Sequence, residues 1–412
     1  MQKIYNNISP TSNYDIIISG ASYTGQTLAI AIKQACPFLK ILLVESRANN
    51  IFSDRRSSSI SPLVVNMFQA LDIWSTVASY AQPVKKMILT DSLLSDPIRS
   101  KILTLGDNDE EILFYMLPNI NLLNILQEKL KEHQIDILYN NQITSFSQNI
   151  SGVNILLKDN QKLFSKILIA ADGKNSKLRE IGNINICSHN YKQTALVFSI
   201  EHKLPHNDTA IQHFLNEGIL AILPLIGNRS SVVWSLSQQK ATNLLTQSSF
   251  FFKKYFEKSL GKQLGNITID SDIQKFDLSL MLANEFARSN FYLVGDAAHS
   301  IHPLAGQGLN LGMYDVAFLA ELLVQQVRVG LDLSSGLLAE SYQASRRFDC
   351  LSMAAVTHSI NKIFSTEASV IQTLRDVMFK FVDNNEKLKY FFTKEMGEVN
   401  IDMPKLLQGE KL

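Results

Sequence analysis

Cysteine is scarce in this 412-residue sequence: there are three, Cys36, Cys187 and Cys350, in no CxxC or CxxH spacing. That excludes a zinc ribbon and a disulfide-stapled scaffold, and it suits a reducing compartment. Excess charge is also lacking, since 39 Lys and Arg face 38 Asp and Glu for a net charge of +1. A dedicated nucleic-acid binder would carry a basic domain or stripe, so that class drops out. No run approaches 18 uninterrupted apolar residues, so no spanning helix is expected, while contact with the inner face of a membrane stays open. The first 13 residues are polar and lack an apolar h-region, so the expected location is cytoplasmic. What is plentiful is apolar mass: 46% of residues are hydrophobic, with 22 Phe and 12 Tyr. Such a chain folds, and its length suggests two or three structural units.

The first strong element lies between residues 14 and 47. Residues 15–19 read as a buried strand, 20–25 (GASYTG) as a tight turn, 26–35 as a helix and 40–44 as a second strand ending at Glu45. This strand–turn–helix–strand order matches a dinucleotide-binding unit, with Gly20 and Gly25 allowing the turn and Glu45 placed to accept from ribose hydroxyls. The turn by itself is equally compatible with NAD binding or with a plain α/β turn. A buried strand over 166–171 ends at Asp172-Gly173, and strand patterns over 195–201, 210–215, 219–224 and 231–237 predict an antiparallel sheet. Helical patterns return at 248–258, from 308 into the 320s, and from 341 to about 396.

The most specific segment is Gly295-Asp296-Ala297-Ala298-His299, followed by Pro303 and by Gly306-Gln307-Gly308-Leu309-Asn310-Leu311-Gly312. It reads as a buried strand ending in an acid, then a glycine-rich loop opening a helix. Glycines permit close backbone approach to a flat ligand, and a helix start offers free N–H groups and positive potential. Asp296 can accept hydrogen bonds from a polyol chain.

With its three ordered motifs, the βαβ unit with Glu45, the Ala171-Asp172-Gly173…Ser176…Arg179 segment and the 295–312 block, the chain resembles the ubiquinone-biosynthesis hydroxylase family of class A FAD-dependent aromatic monooxygenases. The resemblance implies an α/β fold: a Rossmann-like FAD-binding domain, an inserted, mainly antiparallel β-sheet substrate domain and C-terminal helices. The FAD-binding domain is expected over 1–75, 106–182 and 286–345, the substrate domain over 76–105 and 183–285, and the helical region over 346–412. The family implies that Gly20, Ser22 and Gly25 cradle the pyrophosphate and that Glu45 holds the ribose. It implies that Arg56 lies near flavin and pyrophosphate, that Asp172 and Gly173 support the FAD edge, and that Asp296 meets the ribityl–phosphate region. Pro303 is expected against the isoalloxazine, with Gly308, Leu309 and Asn310 at its pyrimidine end. The implied reaction takes NAD(P)H as a transient co-substrate and O2, and hydroxylates the ring of a polyprenylated phenol. Implied partners are other ubiquinone-biosynthesis proteins and further copies of the chain.

Two positions depart from the family pattern: Ser22 replaces the usual middle glycine, and Asn119–Asn121 lacks a frequent arginine. They motivate the rival readings of a flavin-fold scaffold subunit or another flavin oxidoreductase, such as a dehydrogenase or reductase. No catalytic side chain is assigned and no metal is expected; His299 and Pro303 are candidates, His299 being equally readable as packing. Arg346, Arg347 and Asp349 read as an interface ion network. The aromatics at 251, 252, 255 and 256, and Phe379, Phe381, Tyr390, Phe391 and Phe392, read as core or as a surface for lipid or partner.

Overall fold

The computed structural model describes residues 13–48, 54, 56–92, 100–106, 111–215, 217–302, 306, 308–364 and 403–412. Pro303 and the aromatics Phe379, Phe381, Tyr390, Phe391 and Phe392 lie outside the described residues. β1 (Asn13–Ser19) runs parallel to β2 (Ile41–Val44) on one side and to Lys162–Ala170 on the other. These are near-continuous apolar runs, the pattern of strands covered on both faces. The sheet continues through Phe291–Leu293 to Ala287–Arg288 at one edge and through Asp136–Leu138 at the other. Between β1 and β2 the chain crosses over through α1 (Tyr23–Ala35), whose residues from Gly25 to Ile32 are all buried. Helix α1 begins before the predicted residue 26, because Ser22 is extended (φ −91°, ψ −169°) and its carbonyl already accepts from the Gln26 N–H at 3.0 Å.

A second sheet has nine strands, and its centre runs Ile186–His202, Arg229–Ser237, Gly218–Leu225, Thr209–Leu215. Pairing there is antiparallel; Thr209–Leu215 then pairs parallel with Lys86–Ser92. Successive side chains point to opposite faces of a strand. One set, including Leu196, Phe198, Ile222, Val232 and Trp234, packs with Phe252 and Phe256 of helix Ser249–Leu260 into a core. The other set includes the smaller Ala195, Val197, Ala221 and Val233, and it faces a cavity. The aromatic helix is therefore divided: Phe252 and Phe256 are core, Tyr255 stacks on Trp234 at 5.9 Å, and Phe250 and Phe251 stay exposed.

A small third sheet joins Ser57–Ile60, Phe114–Pro118 and Gln82–Val84. It brings Arg56 to Asn119, whose N–H donates to the Arg56 carbonyl at 2.9 Å. Helices Gly308–Arg328 and Leu338–Phe364 follow, and Leu406 and Leu407 of the short helix Lys405–Gln408 are buried in the core that also holds Met67 and Phe68. Among the described residues no helix is long and apolar enough to cross a membrane.

Candidate functional site

A cavity of about 900 Å³ lies between the ends of β1 and β2 and the small-residue face of the nine-stranded sheet. That is near the upper end of the ~300–1,000 Å³ common for small-molecule sites. Of the predicted residues, Gly20, Ser22, Glu45, Arg56, Asp172, Gly173, Asp296, Gly308 and Leu309 line it, as does His299. Gly25 and Asn310 stand behind the wall.

The glycine turn is dictated by protein packing as much as by a ligand. Gly20 has φ +102°, and a Cβ there would lie 2.3 Å from the Ala171 carbonyl oxygen. A Cβ on Gly25 would lie 2.1 Å from the Gly20 oxygen, so Gly25 lets α1 sit directly on the turn rather than meeting the cavity itself. The first turn of α1 holds no acidic residue, and its N-cap Ser22 makes no capping hydrogen bond. The positive helix end and a free hydroxyl thus face the cavity, an arrangement suited to a phosphate. Because the Ser22 hydroxyl caps nothing, Ser22→Gly is expected to change unfolding free energy by only a few tenths of a kcal/mol. The same variant should weaken FAD binding by ~2- to 12-fold, the worth of one hydrogen bond, in a fluorescence titration. Tighter binding would instead show that the hydroxyl crowds the ligand.

Glu45 is 3% exposed at the end of β2. Its carboxylate accepts from the Ala21 N–H at 2.9 Å and from Arg47 through the backbone N–H at 3.0 Å and Nε at 2.9 Å. Burial pushes its pKa up, but these hydrogen bonds outweigh it and hold the carboxyl below its ordinary value. Glu45 is therefore an anion held at the cavity edge.

Arg56 belongs to a cluster that the sequence did not reveal. Its Nε and Nη2 donate to Asp54 at 2.8 and 2.7 Å, and Asp54 also accepts from the Tyr23 hydroxyl and from Asn119 Nδ2 at 3.1 Å. Burial acts to raise the Asp54 pKa, and the bonds from Arg56, Tyr23 and Asn119 overcome it, bringing Asp54 to about 2. Asn119, in the stretch expected to lack a cation, holds Asp54 and Tyr23. No spacing rule connects positions 23, 54, 56 and 119; the small third sheet joins Arg56 to Asn119, and the start of α1 brings Tyr23 to them.

Asp172 caps the helix Lys177–Ile181 by accepting from Lys177 N at 2.9 Å and Leu178 N at 3.3 Å. Its other oxygen is buried without a partner among the described residues, and burial raises its pKa. Gly173 (φ +84°) would meet nothing within 4 Å if it carried a Cβ. Its glycine is required by backbone conformation, and the space beside it is open.

The glycine-rich block divides in the same way. A Cβ on Gly295 would lie 2.9 Å from Thr24 Oγ1, on Gly312 3.2 Å from the same atom, and on Gly306 2.5 Å from Ser59 Oγ. These three allow close packing of protein on protein, and Gly295 and Gly306 line the cavity as well. Gly308 alone of the four has no atom within 4 Å, and it opens the helix Gly308–Arg328, whose first turn has no acid. Leu309 also lines the cavity, whereas the Asn310 side chain accepts from Ser61 N at 3.0 Å and is buried. Asp296 is exposed to the cavity; the protein packed around its base raises its pKa, and the charges of His299, Arg56 and Lys174 oppose that rise.

His299, at the cavity wall, is held by a buried carboxylate. Its Nε2 is 2.6 Å from Asp315 Oδ2, while Asp315 Oδ1 accepts from Arg346 Nε at 2.8 Å and Oδ2 also accepts from Gly295 N at 2.8 Å. Arg346 continues to Asp349 at 2.7 Å. Burial acts against protonation of His299, but Asp315 prevails and holds its pKa well above the ordinary value. This buried charge row ties the strand end bearing Asp296 to both long helices. The expected pair of Arg346 with Asp349 is present, and Asp315 joins it: Arg346 is fully buried between the two carboxylates. Donor atoms of His299, Asp315 and Cys350 lie within 4.8 Å of one another, yet a cation there would meet the Arg346 guanidinium, 3.7 Å from Cys350 Sγ.

Phosphate-facing N–H groups at α1, an anion at Glu45, a carboxylate at Asp296 and an open helix start at Gly308 fit an extended dinucleotide ending in a flat ring. The chain from 13 to 348 matches the FAD binding domain family. It is 31% identical over 405 residues to "Ubiquinone hydroxylase UbiL" of Rhodospirillum rubrum, covering 97% of this chain and 93% of that protein. It is 27% identical over 417 residues to "Ubiquinone biosynthesis monooxygenase COQ6, mitochondrial" of Homo sapiens, covering 88% of each. The fold also matches p-nitrophenol 4-monooxygenase PnpA from Pseudomonas putida, with a TM-score of 0.78 at 16% identity, covering 93% of this chain and 98% of that one. A cleft built for a dinucleotide and full-length agreement with these relatives lead to one assignment: the chain belongs to the ubiquinone-biosynthesis hydroxylase family of FAD-dependent aromatic monooxygenases.

Proposed function

We propose that this monooxygenase consumes NAD(P)H and O2 to hydroxylate the aromatic ring of a polyprenylated phenol. The observation that carries the reading is the continuity of one cavity from the Gly20–Glu45 end, past Asp296 and Gly308, to an apolar face made of Ala195, Val197, Ala221, Leu223 and Val233. FAD, when bound, supplies electron transfer and oxygen activation, so the protein needs no nucleophile or acid–base pair of its own. Its residues bind, orient and exclude water. Ser22 and the start of α1 would hold the pyrophosphate, Glu45 the ribose and Asp296 the ribityl chain. The start of helix Gly308–Arg328 would favour negative charge on the ring system. The small side chains of the sheet leave room for a substrate ring and keep that half of the site dry.

The sheet division supports reading 1–75, 106–182 and 286–345 as the cofactor part, because the parallel strands of the first sheet all fall there. Association with further copies or with other quinone-biosynthesis proteins, and contact with a membrane surface, belong to the same reading.

Purified protein loaded with FAD is expected to oxidise NADH or NADPH faster with 2-geranylphenol present and to yield a ring-hydroxylated product by mass spectrometry. Flavin reduction without any hydroxylated product would favour a dehydrogenase. Protein that retains no flavin after reconstitution would favour the scaffold reading.

A further inference from the structure

The substrate half of the cavity carries one polar side chain that nothing in the protein explains. Gln212 lies on Thr209–Leu215, opposite Ala221; Ala221 lies opposite Val233, and Val233 opposite Val197. These four residues form a single row across the four central strands. All four line the cavity, with Ala195 and Leu223 beside them. Among the described cavity-lining residues of those strands, Gln212 is the only polar one. It is 5% exposed, and its side-chain amide has no hydrogen-bond partner among the described residues. Its neighbours in sequence, Ile211 and His213, point to the opposite face, as the period of two requires.

The amide has no protein partner among the described residues and opens onto the cavity, so its hydrogen bonds are left to whatever occupies that space, whereas an apolar residue of similar size would make no such demand. Glutamine offers both an acceptor and a donor. A phenolic hydroxyl offers the complementary pair on a planar, otherwise apolar body. Cross-strand neighbours stand ~4.5–5.5 Å apart, so a ring lying over Ala221 and Val233 places its substituent within reach of Gln212. We propose that Gln212 is the specificity residue that selects a free ring hydroxyl by accepting its proton in a hydrogen bond, fixing the in-plane orientation of the ring. This rests on the polyprenylphenol reading. It also explains why the small residues of the row are apolar: with one polar anchor, the ring has one preferred orientation rather than several.

The test compares equilibrium binding of 2-geranylphenol and its methyl ether, 2-geranylanisole, to the FAD-loaded protein, read from perturbation of the flavin spectrum. The unaltered protein should bind the phenol about tenfold more tightly than the ether, the worth of one hydrogen bond. In Gln212→Met, of similar length and without polar atoms, the preference should fall below about threefold with FAD content unchanged. Gln212→Glu keeps an acceptor and should retain a preference for the phenol. It also serves if the methionine variant fails to hold FAD: a glutamate variant that loses the preference overturns the assignment. A methionine variant that discriminates as well as the unaltered protein overturns it too. If the unaltered protein binds neither probe, the polyprenylphenol reading falls, and this assignment with it.

Discussion

Replacing Asp315 with alanine should lower the unfolding free energy by about 3–5 kcal/mol, the usual cost of removing one member of a buried ion pair. Asp315 is fully buried between His299 and Arg346, and it also accepts from the Gly295 N–H. Its loss strands an imidazole, a guanidinium and a backbone donor in a core that offers no water. Asp315→Asn keeps the volume and an acceptor, and should cost less. Urea midpoints measured by near-UV circular dichroism check this; a loss under ~1 kcal/mol would show that the row is not a structural tie.

The same network sets a pH dependence. The folded pKa of His299 lies above its ordinary 6.5, so its contribution is fully present below ~6.5 and is lost as pH rises through the raised value. The folded pKa of Asp315 lies below its ordinary 3.8; its contribution is present above ~3.8 and is lost as pH falls through the lowered value. In Asp315→Ala, burial of His299 is unopposed and its pKa drops, so the variant loses stability as pH falls. The gap between the two proteins should therefore be wider at pH 5.5 than at pH 8.5.

Asp296→Ala is expected to lose FAD. A carboxylate that accepts a hydroxyl hydrogen bond contributes ~1.5–3 kcal/mol, equivalent to a ~10- to 150-fold rise in Kd. The measurement is flavin absorbance retained after gel filtration, with Kd from titration. Stoichiometric retention would remove Asp296 from the cofactor site. The apoprotein distinguishes a binding defect from a folding defect. Asp296 is exposed to the cavity and holds no other described part of the protein, so alanine should leave apoprotein stability nearly unchanged. The two substitutions thus separate neighbouring roles: Asp315 holds the strand end in place, and Asp296 uses that position.

Local pattern made much of this architecture legible. The apolar runs of β1, β2 and Lys162–Ala170, the glycine turn and the period-two strands of the second sheet each follow from near neighbours in the chain. The turn and the 295–312 block carried the family resemblance, and most of the residues they nominated line one cavity. The meaning of the individual glycines was not legible. A Cβ on Gly25, Gly295, Gly306 or Gly312 would meet protein atoms and one on Gly308 would meet none, a difference set by Gly20, Thr24 and Ser59 rather than by spacing. Nor could sequence assemble the Asp54–Arg56–Tyr23–Asn119 cluster or the His299–Asp315–Arg346 row, whose members come from different elements.

The scarcity of cysteine, the balanced charge and the short apolar runs argue by themselves against a disulfide framework, a basic groove or a spanning helix. Hydrophobic periodicity determined which elements form, because secondary structure answers to near neighbours. Only the tertiary structure decided which side chains meet in the cleft, which are buried as charge pairs, and that Gln212 faces the cavity from the apolar row of the four central strands. Those outcomes depend on cross-strand register and on the facing of one sheet by another, distances that no local pattern encodes.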